Sequence, residues 1–292
     1  PTSLAMGKVW ELDFYSRPIV DDRGKKRWEV LIREAPLTVT ADPANLYEYS
    51  QFFSNVEVNS VSLKTALEAA LAESGQAPTQ VRFFRRQMTN MIAKACNELG
   101  LNPKPSRRTI ALQDLLQTRL AAVYPTLDGY QNEVPPIAGY TPLPPSPLPD
   151  ALQSQQWAFV SLSAADLQDM PAWEIEFGDA FPLGLADVAP DTRVPGLLLF
   201  SPRATAIAAW MSGLELAYLY VTPGTQPQLI LETGASDGWI LADLTKAEWQ
   251  AEAAGFSKTK ASANGVHFIA VQSDPEAETF AGFWLLRELS LG

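Results

Sequence analysis

The sequence predicts an α+β protein built from two mixed α/β domains, and three observations carry that prediction. Segments with the period-two alternation of strands are interspersed with segments of helical spacing, an order in which helices layer against sheets. A stretch with seven prolines, Val134 to Pro149, interrupts the chain. Charge divides at the same place. Residues 1–145 hold 16 Lys and Arg against 15 Asp and Glu, net +1, and residues 146–292 hold 6 against 18, net −12, which together recover the −11 of the whole chain. The expected domains are therefore 7–132 and an acidic 151–292. The Pro-rich linker 133–150 between them is kept extended by fixed φ angles and missing N–H donors.

In chain order, Trp10 to Val20 alternates Trp10, Leu12 and Phe14 against Glu11, Asp13 and Tyr15, the pattern of a half-buried strand. Asp21 to Gly24 is a turn, and Trp28 to Ile32 completes a hairpin. Leu37 to Thr40 is a candidate third strand, and Tyr47 to Phe53 is aromatic-rich without a clear period. Leu63, Ala66, Leu67, Ala70 and Leu71 follow helical spacing, with Ser60 or Ser62 as N-cap and Gly75 past the end. A strand over Thr79–Phe84, a helix over Met88–Leu99 and a helix over Leu112–Val123 follow. This order is compatible with a ribonuclease H-like or restriction-nuclease-like sheet. The second half reads as strands at Trp157–Leu162, Trp173–Phe177, Leu197–Phe200, Leu214–Val221, Gln228–Glu232, Gly238–Leu241, Val266–Gln272 and Phe280–Leu289. Helices are expected at Arg203–Ser212 and Lys246–Ala254.

Composition excludes several classes. With 47% apolar and 19% charged residues the chain is of globular type, and no run approaches the roughly 18 apolar residues that a membrane span needs. One cysteine excludes an intrachain disulfide and a Cys-based zinc site, and one histidine excludes a multi-His metal site. Cys96 falls on the apolar stripe Met88, Met91, Ile92, Ala95, Leu99, and His267 lies in an apolar run, so both read as core residues. No glycine-rich phosphate loop is present, so no nucleotide cofactor is expected.

Val81 to Arg108 is a basic island: seven Lys and Arg, with Glu98 as the single acid. Guanidiniums that pair with phosphate, beside aromatic faces that stack on bases, make a single-stranded RNA site. Arg82, Arg85, Arg86, Lys104, Arg107 and Arg108 form the expected electrostatic face, and Phe84 is the stacking candidate. The alternative is a strand and helix whose polar side merely solvates. A reading from another class takes Glu11 and Asp13 on one strand face, with Glu29 on the next strand, as the carboxylates of a metal-dependent nuclease. A third takes the acidic second half as a protein-docking scaffold.

The run Gly7-Lys8-Val9-Trp10-Glu11-Leu12-Asp13-Phe14-Tyr15-Ser16-Arg17-Pro18-Ile19 resembles the opening of the Tab/Atab-type RNA-binding proteins of cyanobacteria and chloroplasts. Lys26–Ile32, Val81–Met88, Pro105–Thr109 and Gly196–Arg203 resemble further segments of that family, and Gly282–Glu288 carries its Trp-Leu-Leu hallmark. The resemblance implies no enzymatic activity. It implies binding of A/U-rich single-stranded RNA in an mRNA 5′ leader and translation of photosystem I reaction-centre subunits, extending in plants to photosystem II. The translation machinery and other biogenesis factors are the implied partners. It also assigns RNA binding to Trp284, Leu285 and Leu286, although such a run near a C-terminus is more often a core pattern than a binding platform. The chain shows no signal-peptide core and no long extension like that of plastid forms. The expected location is the cyanobacterial cytoplasm, or the chloroplast stroma for a processed plastid protein.

Overall fold

The computed structural model describes residues 7–133, 143–289 and Leu291. The linker residues Val134 to Pro142 and the N-terminal residues 1–6 lie outside the described residues. The chain has the expected α+β character and divides into two compact units. Among the described residues these are 7–36, 42–133 and Leu291, and 37–41 with 143–289.

Unit 1 begins with the hairpin β1 (Val9–Val20) and β2 (Lys26–Glu34). The third strand is β3 (Glu48–Phe53), the aromatic-rich stretch, and Leu37 to Thr40 forms no strand. Helix α1 (Ser60–Ser74) is capped by Asn59, whose side chain accepts from the Val61 and Ser62 N–H groups at 3.0 and 2.9 Å. Asn59 thus does what was expected of Ser60 or Ser62. Gly75 closes the helix at φ +66°, a left-handed conformation that glycine adopts without a Cβ clash. Strand β4 (Gln80–Phe83), helix α2 (Thr89–Glu98), strand β5 (Pro103–Pro105) and helix α3 (Ile110–Thr118) complete the unit, and α3 runs on into a π-helical turn over Arg119–Val123. Prolines hid β5 from the sequence reading; an edge strand tolerates them because one side of its ladder is unpaired.

The five-stranded sheet has the order β3-β2-β1-β4-β5, antiparallel from β3 through β1 and parallel from β1 through β5. Only β2 is reversed. Trp10, Leu12, Phe14, Val30, Ile32, Val81 and Phe83 turn to one face and bury against Leu63, Leu67 and Ala70 of α1 and Ile92, Ala95 and Cys96 of α2. Each fully buried large side chain there contributes roughly 1.5–3 kcal/mol. Burial pushes the Cys96 thiol up to about 12, so it stays protonated and inert.

Unit 2 contains β6 (Ser146–Pro147), β7 (Gln156–Ser163), α4 (Ala164–Leu167), β8 (Ile175–Asp179), β9 (Arg193–Phe200) and α5 (Ala204–Ser212). It continues with β10 (Leu216–Val221), β11 (Gln228–Thr233), β12 (Asp237–Asp243), α6 (Ala247–Ser262), β13 (Val266–Gln272) and β14 (Phe280–Arg287). These form a five-stranded sheet β7-β9-β13-β14-β8 and a four-stranded sheet β10-β11-β12-β6. The end of the Pro-rich stretch is not a free spacer: Ser146 and Pro147 pair with Trp239 and Ile240 of β12, and Leu148 is buried. Both sheets feed one apolar core, with Leu197, Leu199, Ile269, Val271, Trp284 and Leu286 from the larger and Leu219, Leu229 and Leu231 from the smaller. His267 is fully buried among them as a neutral ring. Its Nε2 accepts from the Leu219 N–H at 2.8 Å, so Nδ1 carries the proton and donates to the Gly265 carbonyl, also at 2.8 Å.

Candidate nucleic-acid interface

The face of the unit 1 sheet opposite α1 and α2 is the unusual one. Directly paired residues share a face, so the registers line up Glu48, Arg33, Glu11, Arg82 and Lys104 as one row across β3, β2, β1, β4 and β5. Charges alternate along that row and end in two consecutive cations at the β5 edge. Helix α3 covers part of this face with Leu112, Leu115 and Leu116, packed against Leu31 and Phe84. Unit 1 also buries six arginines (Arg17, Arg82, Arg85, Arg107, Arg108 and Arg119) and three carboxylates (Glu11, Asp13 and Glu29).

Each carboxylate is committed. Asp13 receives Arg85 Nε at 2.7 Å and Arg17 Nη1 at 2.9 Å. Burial alone would raise its pKa, but the Arg85 and Arg17 guanidiniums outweigh that and hold it below the usual carboxylate range. Glu29 accepts from Arg17 Nε at 2.7 Å, from Ser50 Oγ at 2.6 Å, and from Arg119 Nη2 and Tyr124 Oη, which fills its four lone-pair positions. Burial, ahead of neighbouring charges, raises the Tyr124 phenol, so it stays a donor to Glu29. Glu11 Oε2 accepts the Leu112 N–H at 2.7 Å, an anion at the N-terminus of α3. Among the described residues no three His, Cys, Asp or Glu side chains are grouped to hold a metal ion. The metal-nuclease reading of Glu11, Asp13 and Glu29 is therefore corrected: guanidiniums and a helix end occupy their oxygens.

Of the expected electrostatic face, most turns inward. Arg82, Phe84, Arg85, Arg107 and Arg108 are buried, Lys104 is half-buried and Arg86 is exposed. The Arg85 guanidinium lies 3.7 Å from the Tyr15 ring centroid and 4.8 Å from that of Phe84, so Phe84 already stacks on an arginine. β1 lies between β2 and β4 in the sheet, and the parallel strands β1, β4 and β5 run the same way. Arg85 and Arg86 directly follow β4, and Arg107 and Arg108 directly follow β5. Arg17, Arg119, Tyr124 and Ser50 were missed by sequence reasoning. The available signal was three carboxylates on adjacent strands within reach of more arginines than a solvated face needs.

The Trp-Leu-Leu run lies in β14 in the interior of unit 2. Trp284 is 4% exposed, and Leu285 and Leu286 are 0% exposed. Trp284 and Leu286 enter the common core, while Phe283 turns to the other face and stacks on Phe268 at 5.0 Å. Gly282 makes room for the indole: a Cβ there would lie 2.4 Å from the Trp284 ring.

An α+β fold with arginines gathered around the edge of its first sheet, several of them paired with buried carboxylates, is the class of protein the geometry gives. The family comparison makes that class definite. The N-terminal domain profile of the RNA-binding protein Tab2/Atab2 matches residues 9–119, and the C-terminal domain profile matches residues 135–287. The chain belongs to the Tab2/Atab2 family of RNA-binding proteins. It is 36% identical to the chloroplastic TAB2 homolog of Zea mays, over 97% of this chain and 72% of that protein. It is 35% identical to the chloroplastic TAB2 homolog of Arabidopsis thaliana, over 97% and 75%. Among solved structures, a simian T-cell lymphotropic virus intasome in complex with PP2A regulatory subunit B56 gamma matches with TM-score 0.32 and 12% identity, covering 56% of this chain and 65% of that one. A likeness that slight carries no argument. Among the described residues no helix is long and apolar enough to cross a membrane.

Proposed function

We propose that the chain binds A/U-rich single-stranded RNA in the 5′ leader of an mRNA and promotes translation of photosystem reaction-centre subunits. The setting is the chloroplast stroma or the cyanobacterial cytoplasm, with the translation machinery and other biogenesis factors as partners. The observation that carries the reading is the concentration of arginines at the carboxyl ends of β1, β4 and β5 in a chain of this family. Arg86 and Lys104 meet phosphates directly, and Arg107 and Arg108 back them through whatever surface they retain. Arg82, Arg85 and Phe84 shape the edge from beneath. Trp284, Leu285 and Leu286 act by holding unit 2 folded, as their burial supports. A ribonuclease H-like arrangement of the first sheet fits this reading, and the order β3-β2-β1-β4-β5 with only β2 reversed supports it.

The test is fluorescence anisotropy of the full chain with A/U-rich and G/C-rich single-stranded RNA across a salt series. The A/U-rich strand binds more tightly, and Arg86→Ala with Lys104→Ala flattens the slope of log K against log salt by about 0.7 for each phosphate deprived of its cation. Equal binding of both strands removes the A/U preference. No binding by the folded chain removes the reading.

A further inference from the structure

Unit 2 holds a cavity of about 670 Å³ between the loop that joins β10 to β11 and the first turn of α6. Its walls include Gln226, Gln228, Asp243, Thr245 and Gln250. Small-molecule sites span roughly 300–1,000 Å³, so the cavity has room for a nucleoside and none for a folded partner.

The walls carry acceptors and donors side by side. Gln228 Nε2 donates to Asp243 Oδ1 at 2.8 Å, and Gln250 Nε2 donates to the Leu244 carbonyl at 2.8 Å. Both amides thus direct one N–H into the protein and keep Oε1 as an acceptor beside a second N–H donor, while Asp243 keeps a second carboxylate oxygen. The Asp243 carboxylate repels a phosphate, and the amides suit a flat ligand that presents an N–H beside an acceptor. Trp249, the residue before Gln250, is half-buried beside Trp157 at 5.4 Å between ring centroids. The Lys246 ammonium lies 4.4 Å from the Trp249 ring centroid. Lys246 and Trp249 thus stand at the start of α6, as Gln250 does.

We propose that this cavity takes one nucleobase carrying an exocyclic amino group, adenine foremost, whose N–H groups donate to the Gln228, Asp243 and Gln250 oxygens. Glutamine matches the N6/N7 edge of adenine, and a carboxylate accepts from an exocyclic amine. The proposal rests on the RNA-binding reading and deepens it. Contacts to the phosphate chain position a nucleic acid, and contacts to base edges select its sequence. The acidic unit, unsuited to phosphate, is suited to bases.

The experiment compares an adenosine-containing RNA oligomer with one in which purine riboside, lacking only the amino group, replaces adenosine. The full chain binds the second roughly tenfold more weakly, the scale of one base-edge recognition. Asp243→Asn, at an exposed position, and Gln228→Leu each abolish that preference and leave the salt slope unchanged. Equal binding of the two oligomers by the unmodified chain overturns the proposal, as does a preference that survives both substitutions. If neither oligomer binds, the RNA reading fails and adenosine alone decides the cavity through tryptophan fluorescence of the full chain. A saturable change that Gln228→Leu removes upholds the site, and the lack of any saturable change refutes it.

Discussion

The two units hold their sheets together by different means. Unit 1 packs an apolar core on one face of its sheet and also buries six arginines and three carboxylates. Unit 2, which carries most of the negative charge, keeps nearly all of it at the surface. Its buried ionic residues among those described are Glu232 and Lys260, and Lys260 finds the Leu219 carbonyl at 2.8 Å and the Glu288 carboxylate. Net charge therefore says little about where charge does structural work. The nearly neutral unit depends on ion pairs, and the strongly acidic unit depends on aromatic and aliphatic packing.

Truncating each core should separate the two mechanisms most sharply. Glu29→Ala leaves Arg17, Arg119, Tyr124 and Ser50 without their common acceptor, and breaking a buried pair in this way costs about 3–5 kcal/mol. Trp284→Ala opens a cavity in the unit 2 core at a similar cost of about 3–5 kcal/mol. Urea unfolding measures both. The comparison fails if Trp284→Ala leaves stability unchanged while abolishing RNA binding, because the indole would then touch RNA and would not be a core residue.

Acid provides a finer discriminator. The folded Asp13 carboxyl titrates below its unfolded value, so its stabilisation is fully present above about pH 4 and is lost as pH falls through the folded value. Unit 1 should therefore open first on acidification. Residue-resolved amide hydrogen exchange of the unaltered chain across an acid series follows that order. Asp13→Asn should weaken this acid response of unit 1.

The smallest change in stability belongs to the rim. Arg86→Ala alters stability by less than about 0.5 kcal/mol, as surface substitutions usually do, because its side chain is exposed. Its effect appears in RNA affinity at low salt. A larger loss of stability would place Arg86 in the buried network with Arg85.

Much of the fold was legible where periodicity reports burial directly. Trp10, Leu12 and Phe14 announced β1, and Leu63 through Ala70 announced α1. Glu11, Asp13 and Glu29 misled for a physical reason: polar residues alternating with apolar ones usually mark a solvated sheet face, whereas here a helix covers part of that face and arginines neutralise the carboxylates. Sequence spacing shows that charges share a strand but not that Arg85, 72 positions away, will close on Asp13. The basic island was visible as composition, yet its inward turn depends on α3, whose placement is tertiary. In the same way the Gln228–Asp243 wall joins the ends of two strands and carries no local signature.

The row from Glu48 to Lys104 also constrains folding. Parallel β4 and β5 join β1 only after long connections, and mispairing is the hazard of such non-local pairings. A one-residue slip of β4 along β1 would place Val81 or Phe83 beside Glu11 and drive Arg82 into the apolar side of the sheet, so a single error exchanges both faces at once. Alternating charge across five strands thus works as a proofreading device: only one alignment of the chain leaves every cation next to an anion until the edge is reached. A variant with the signs of Glu11 and Arg82 exchanged would keep the same count of ion pairs, yet it would set Lys104 beside a glutamate and Arg33 beside an arginine. Its refolding yield would report how strongly assembly of the sheet relies on that check.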